Sequence, residues 1–444
     1  MKLSEKIAKD LEKIMGLTKE DKKALHILII DFFAASYAGF QQNRFFNCAV
    51  EKIVLEQNGN QDASVFMQDK KYSASTAAFL NAIYAHGAEL DDGNKKAMGH
   101  IGTHVIPAVF ALAEKIKSTC EDVLVALAVG YEAYIRISSA AQPGMVQRGF
   151  HSTGMAGTLA CAAACAKLYH LNSEGIENAI GLATTMSGGL LSYGDSRPAI
   201  KPLNPAKAAE NGLFAAMLAN QGIKGPMEAL EGKNGWFHAV TEEYDETFLQ
   251  GACDGHLLLH ECYIKQYPSC RHTHCGIDAA IRLHSRVNIA EIKDIYVYIY
   301  SNAIKLAGQI KFPQNPDETK FSIHYTLACA LFKGSYGIED MNVTHLPDEI
   351  ISLIDKIHLI PDESMENREK GIRGTKVEIV RADGSSETEI VLIPKGDPEN
   401  PLTESDVINK LKVCANGQAN ERTLDKLVET IKKMDGDRMF KYPL

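Results

Sequence analysis

The sequence predicts a mainly α protein with an α+β second domain, and three observations carry that expectation. Helical apolar periods follow one another through the first 262 residues, strand-like runs appear after Tyr263, and helical periods return beyond KGDPENPLT (395–403). At 444 residues the chain exceeds what one hydrophobic core usually organises, so two domains are expected. The expected limits are 1–262 with 398–444 for an all-helical domain built from both chain ends, and 263–397 for the α+β domain.

Thr18 and Asp21 form a capping-box start before an apolar run through Ile30 and Phe33. Ser75 can cap a helix whose apolar face runs Ala78, Leu80, Ile83 and Tyr84. Pro107 to Lys117, Asp122 to Ser138, Gly154 to Leu168, Asn172 to Met186 and Pro205 to Gln221 continue the helical period. GMAGTLACAAACAKL (154–168) is packed with small residues, so its backbone should lie close to neighbouring helices. In the second domain Ile292 to Tyr300 alternates as a strand, with Lys356 to Pro361 and Lys376 to Arg381 similar. Ala382-Asp383-Gly384 supplies turn chemistry for a hairpin into Thr388 to Ile393. Helices interleave at Cys275 to Ser285 and Ser322 to Phe332, and two more close the chain at Val407 to Cys414 and Glu421 to Met434.

A net charge of -9 argues against a general nucleic-acid binder, which needs a basic face to release counterions. An anionic small-molecule substrate stays open, because a pocket can be basic on an acidic surface. Ten scattered cysteines, with Cys161 and Cys165 one helical turn apart and Cys270 and Cys275 too far apart for a redox pair, read as reduced structural thiols. MKLSEKIAKDLEKIMG has no apolar signal core, and Ala24 to Phe40 carries His26 and Asp31, so it reads as a buried helix rather than a membrane span. Cytoplasm is the expected compartment, with no membrane partner.

The chain has no G-x-G-x-x-G after a strand, no Walker A loop, no G-x-S-x-G elbow and no H-E-x-x-H. Its chemistry must then come from ordinary acid–base groups, which concentrate in four clusters. AHGAELDDGNKKAMGHIGTH holds His86, Glu89, Asp91, Asp92, His100 and His104. His86 and Glu89 are spaced to share a helix face, and His100-x-x-x-His104 has metal-ligand spacing, though Pro107 speaks against one helix carrying both. Acid–base work, a metal site and solvated helix-end charge are the three readings. GFHSTGMAGT places His151 before a helix whose free amides, with Ser152 and Thr153, can hold a carboxylate; simple capping by Ser152 or Thr153 is the alternative. In DSRPAIKPLNPAKAAENG, Arg197, Lys201 and Lys207 stand without an acid between Arg197 and Ala209, and Lys201 precedes a proline in a position that can face a cleft or plain solvent. IKQYPSCRHTH crowds Lys265, Arg271, His272 and His274 together, which calls for an anion, an acidic partner or solvation. FSIHYT adds His324 and Tyr325 at a helix start.

In this order the clusters resemble the MmgE/PrpD family, whose members include 2-methylcitrate dehydratase, cis-aconitate decarboxylase and iminodisuccinate epimerase. NAIYAHGAELDDG, GFHSTGMAGT, KPLNPAKAAENG and KQYPSCRHTH carry the resemblance, which spans nearly the whole chain. It implies that the α+β domain is a lid inserted into the helical one, with an active site in the cleft, a homodimer, and no metal or organic cofactor. The substrate it implies is a small polycarboxylate, processed by proton abstraction next to a carboxylate with dehydration, decarboxylation or epimerisation as outcomes. By matching motif it places Asp91 or Asp92, His100, His151, Lys201 and Lys265 in the pocket; the catalytic expectation is that His100 and His151 move protons, Asp91 or Asp92 orients a histidine or acts as base, and Lys201 holds a carboxylate with Lys265 and Arg271. Substrate binding goes to Lys265, Arg271, His274, Tyr325 and His86. The chain departs from the family pattern at Gly93, Ile101 and Asn204, the last standing where a histidine is usual. YPSCRHTH also differs from the pattern of 2-methylcitrate dehydratases, which tilts the expectation away from that activity and towards the epimerase-like, less characterised branch. A non-catalytic carboxylate-binding or assembly protein that retains the fold is the alternative from a different class.

Overall fold

The computed structural model describes residues 2–42, 44–56, 59–192, 200–250, 255–343, 345–367 and 370–444, so Arg197 lies outside the described residues. Its contacts group into two compact units. One comprises Met1–Gly87, Asp91–Tyr263 and Glu404–Leu444; the other comprises Ala88–Leu90 and Ile264–Thr403.

The first unit is helical. Its long elements are Leu3–Glu12, Lys19–Gln42, Arg44–Glu56, Ala74–His86, Gly102–Ile116, Cys120–Ala140, Ser152–Leu168, Ser173–Thr184, Leu203–Asn220, Glu404–Cys414 and Glu421–Lys432. Thr18 accepts from the Asp21 amide at 3.1 Å while Asp21 accepts from the Thr18 amide at 2.9 Å, so the capping box is made. The Ala74–His86 helix is capped by Ser73, which accepts from the Thr76 amide; Ser75 lies inside the helix, correcting the expected cap. Gly102–Ile116 begins five residues before the expected Pro107, which sits within it. Because the missing N–H removes a single interior bond and the helix is buried on most sides, packing outweighs the loss.

Small residues set the spacing around Ser152–Leu168. A side chain added at Gly212 of the Leu203–Asn220 helix would meet the Thr158 carbonyl at 2.5 Å. Only a bare Cα lets the two helices approach so closely. The carboxyl-terminal helices are tied in by charge: Lys410 reaches Asp31 at 2.5 Å, and both are buried. Such a pair is costly to break, because a buried charge would be left alone. Lys19–Gln42 and Cys120–Ala140 are long and apolar enough to cross a membrane, yet 72% and 100% of their apolar windows are buried in this unit. They are core helices.

The second unit is α+β. Its four-stranded sheet runs in the order Ser386–Val391, Thr375–Arg381, Ile292–Ile299, Ile357–Pro361. Ile292–Ile299 pairs parallel with Ile357–Pro361 and antiparallel with Thr375–Arg381. Ile295, Val297 and Ile299 point to one buried face, as the period-two pattern requires. The hairpin turns at Asp383-Gly384 with Gly384 at φ +85°, and its second strand starts at Ser386, two residues earlier than expected. Helices His274–His284, Ile323–Lys333 and Asp348–Asp355 complete the unit, and several of their residues join Ile295, Val377 and Ile379 in its apolar core.

Candidate active site

The loop from Gly87 to Ile101 connects two core helices and holds non-glycine residues in the left-handed region at Glu89 (φ 55°) and Met98 (φ 51°). That region is disfavoured for residues with a Cβ, and it concentrates where surrounding structure imposes it. Glu89 therefore falls off the helix that ends at His86, and the two do not share a helix face as the spacing suggested. The chain is turned so that Asp91 and Asp92 face different neighbours.

Asp91 serves the histidines. His86 Nδ1 lies 2.8 Å from its Oδ2, and His100 Nδ1 lies 3.3 Å from the same atom. His100 Nδ1 is also 3.0 Å from the carbonyl of Asp92. Both neighbours of His100 Nδ1 are acceptors, so this nitrogen carries the proton and Nε2 is the atom that gains or gives one. The rings of His86 and His100 meet edge-on at 4.8 Å, and His151 stands 6.3 Å from His86. All four residues are buried. A further fix comes from Thr153, whose hydroxyl accepts from the backbone N–H of His100 at 3.2 Å.

Asp92 has another function. Its carboxylate accepts from the Tyr131 hydroxyl at 2.7 Å and from the Gly102 amide at 2.8 Å, pinning the start of the following helix. Burial pushes its carboxyl up to about 7, against the lowering effect of the Tyr131 bond. Between the two candidate aspartates, the histidines touch the side chain of Asp91.

His104 turns its ring to the backbone of His100. Its Nε2–H donates to the His100 carbonyl at 2.9 Å, and its Nδ1 lies 3.5 Å from the Cys161 thiol. Burial lowers its basicity to about 3, so it stays neutral and acts as a brace for His100. It lies on the Gly102–Ile116 helix and His100 precedes it, so one helix does not carry both.

His151 is the N-cap residue of Ser152–Leu168. Ser152 donates to the Met98 carbonyl at 2.5 Å and Thr153 takes the His100 amide, so both hydroxyls knit the loop to the helix, and neither caps it. Asn204 brings its amide nitrogen to 2.9 Å from His151 Nδ1. Lys201 is half-buried in the turn before that helix, and its carbonyl accepts from the Asn204 amide at 3.1 Å.

In the second unit two of the crowded cations have acidic partners. Lys265 is fully buried, with Nζ 2.8 Å from the Glu89 carbonyl and 3.1 Å from Glu89 Oε1. Arg271 pairs with Asp397. His272 contacts the Tyr300 hydroxyl and is not a cation at neutral pH, since burial and the nearby Arg373, Arg271 and Lys265 charges hold it well below the usual imidazole range. His274 is buried with Nε2 3.4 Å from the Ser269 carbonyl. Tyr325 lies in the apolar core of the unit and donates to the Asp340 carbonyl at 2.5 Å. Of the four potential cations two are paired with acids, which answers the repulsion that the sequence posed.

Comparison with known proteins gives matches along most of the chain. The model of the MmgE/PrpD N-terminal domain matches residues 10–249 and that of the MmgE/PrpD C-terminal domain matches residues 267–434. The cis-aconitate decarboxylase-like protein oryM of Aspergillus oryzae (strain ATCC 42149 / RIB 40) is 26% identical over 411 residues, covering 84% of this chain and 82% of that protein. Cis-aconitate decarboxylase of Aspergillus terreus (strain NIH 2624 / FGSC A1156) is 27% identical, covering 82% and 79%. The Homo sapiens enzyme of the same name is 24% identical, covering 92% and 86%.

Proposed function

Because the chain belongs to the MmgE/PrpD family, we propose that it is a lyase acting on a small polycarboxylate, with an unsaturated tricarboxylate of the cis-aconitate type as its substrate class. The observation that carries this reading is the buried cluster of His86, Asp91, His100 and His151, built from three separate stretches of one unit. The names of the relatives favour decarboxylation among the outcomes open to that cluster.

The physical problem is to place negative charge next to a carboxylate. In decarboxylation the bond to one carboxylate breaks and carbon dioxide leaves. The electron pair shifts through the adjacent double bond, and the far carbon takes a proton. His100 is suited to deliver that proton from Nε2, since its Nδ1–H is held by the Asp92 carbonyl and Asp91 compensates the ring when it is charged. Lys201, in the turn before the helix that carries Asn204, is the cation proposed to receive a substrate carboxylate. A cation in a water-poor site is worth more than one in bulk water, which is why burial of the cluster supports the reading.

The test is incubation of the purified protein with cis-aconitate, citrate, 2-methylcitrate and iminodisuccinate, followed by proton NMR and carbon dioxide release. Conversion of the unsaturated tricarboxylate with stoichiometric carbon dioxide is expected. If all four acids are recovered unchanged from protein shown to be folded, the reading fails.

A further inference from the structure

The sequence predicts proton transfer from both His100 and His151, but the two rings differ in what meets Nδ1, acceptors at His100 and the Asn204 amide nitrogen at His151. We infer that Asn204 is a positioning residue that keeps His151 neutral with its proton on Nε2, so that His151 donates a hydrogen bond to a developing oxyanion and transfers no proton. The inference rests on the proposed chemistry for the oxyanion, but the tautomer itself rests only on geometry.

His151 has little freedom. Its backbone N–H donates to the Gly189 carbonyl at 3.0 Å, and its own carbonyl accepts from the Gly154 and Met155 amides, each at 3.0 Å. Asn204, near the start of the Leu203–Asn220 helix, places Nδ2 2.9 Å from His151 Nδ1. Two glycines make the space for that amide. A Cβ at Gly189 would lie 3.3 Å from Asn204 Cγ, and one at Gly154 would lie 3.3 Å from Asn204 Cβ. Gly189 sits at φ +140°, a conformation that side chains avoid, so this gap is kept by backbone shape as well.

The chemistry follows from donor and acceptor types. An amide nitrogen only donates, so Nδ1 of His151 must offer its lone pair. A neutral imidazole has one proton, which then resides on Nε2. With the Asn204 amide turned this way, protonating Nδ1 would set two donors against each other at 2.9 Å. A neutral imidazole is a poor proton donor but a good hydrogen-bond donor to an oxyanion, and placing one where charge develops lowers the barrier. His100 has the opposite arrangement, with acceptors at Nδ1. In the proposed step, the bond to the departing carboxylate breaks and its electron pair delocalises onto an oxygen facing His151 Nε2–H. The carbon then takes the His100 Nε2 proton, and solvent restores it.

Nitrogen NMR of protein carrying isotope-labelled histidine tests the tautomer without any substrate. The His151 signal is assigned by its loss in His151→Gln. The expected result is a neutral ring with its proton on Nε2 from about pH 5.5 to about pH 8, the range in which an ordinary histidine titrates. In Asn204→Asp, the carboxylate should draw the proton to Nδ1 and let the ring become a cation. A wild-type His151 that carries its proton on Nδ1, or that titrates in this range, overturns the inference. A kinetic arm separates the two roles: His151→Gln, which keeps an N–H donor, should retain at least about 10-fold more turnover than His151→Ala, and equal loss in the two variants also overturns it. Since the NMR arm needs no turnover, failure of the polycarboxylate assay would refute the preceding reading alone.

Discussion

Replacing Asp92 with asparagine should change how stability depends on pH, and the size of the change can be worked from its surroundings. The wild-type carboxyl is pushed from 3.8 up to about 7 by burial. A raised carboxyl value means that the folded chain holds its proton more tightly than the unfolded chain. The associated stability is fully present below about pH 4 and is lost as pH rises to about 7, because over that interval only the unfolded form releases the proton freely. That window spans about three pH units, and each is worth about 1.4 kcal/mol, so the loss is on the order of 4 kcal/mol. The substituted side chain cannot titrate, yet its amide can still accept from Gly102 or meet the Tyr131 hydroxyl. Urea unfolding of both proteins from about pH 4.5 to about pH 8 reads the difference directly. The difference in unfolding free energy should move in favour of Asp92→Asn by a few kcal/mol as pH rises across the window. A difference that is flat with pH would refute the claim that Asp92 is a buried, strongly perturbed carboxyl.

Three other expectations concern the same two units. Asp91→Asn removes the charge shared by His86 and His100, so turnover on the identified substrate should fall roughly 100-fold or more, measured by initial rates at saturating substrate. Glu89→Gln leaves the Lys265 ammonium buried without its carboxylate, and calorimetry or urea unfolding should show destabilisation of roughly 3–5 kcal/mol. The double change Glu89→Leu with Lys265→Met should recover most of that loss, since two apolar groups need no charge partner. Lys201→Ala should raise KM for a polycarboxylate with the fold intact, because one charge-assisted carboxylate contact is lost, and an unchanged KM would remove Lys201 from the site.

The helical periods made most elements readable, and errors fell where two signals competed. Ser73 and Ser75 are both plausible caps, and only tertiary placement decides that the helix starts at Ala74. The short Ala74–His86 helix ends in a loop with a left-handed Glu89, and no periodicity announces such a turn, so the separation of Asp91 from Asp92 was not readable. His86, His100 and His151 could be picked out because ionisable residues are dense there and common hydrolase motifs are missing. The Lys265–Glu89 and Arg271–Asp397 pairs could not be read, being 176 and 126 residues apart in sequence. Asn204 looked only like a missing histidine; its meaning lies in which ring nitrogen it reaches. Tyr131, the partner that fixes Asp92, gave no signal inside an apolar helix.

The most direct test of the central claim is the rate at which His100→Gln transfers a solvent deuteron to the product carbon, compared with the unchanged protein in deuterated buffer. A proton-transfer role for His100 predicts a fall of roughly 100- to 10,000-fold with the fold preserved. Deuteron transfer at close to the unchanged rate would show that some other group carries the proton, and the account of the site would be wrong.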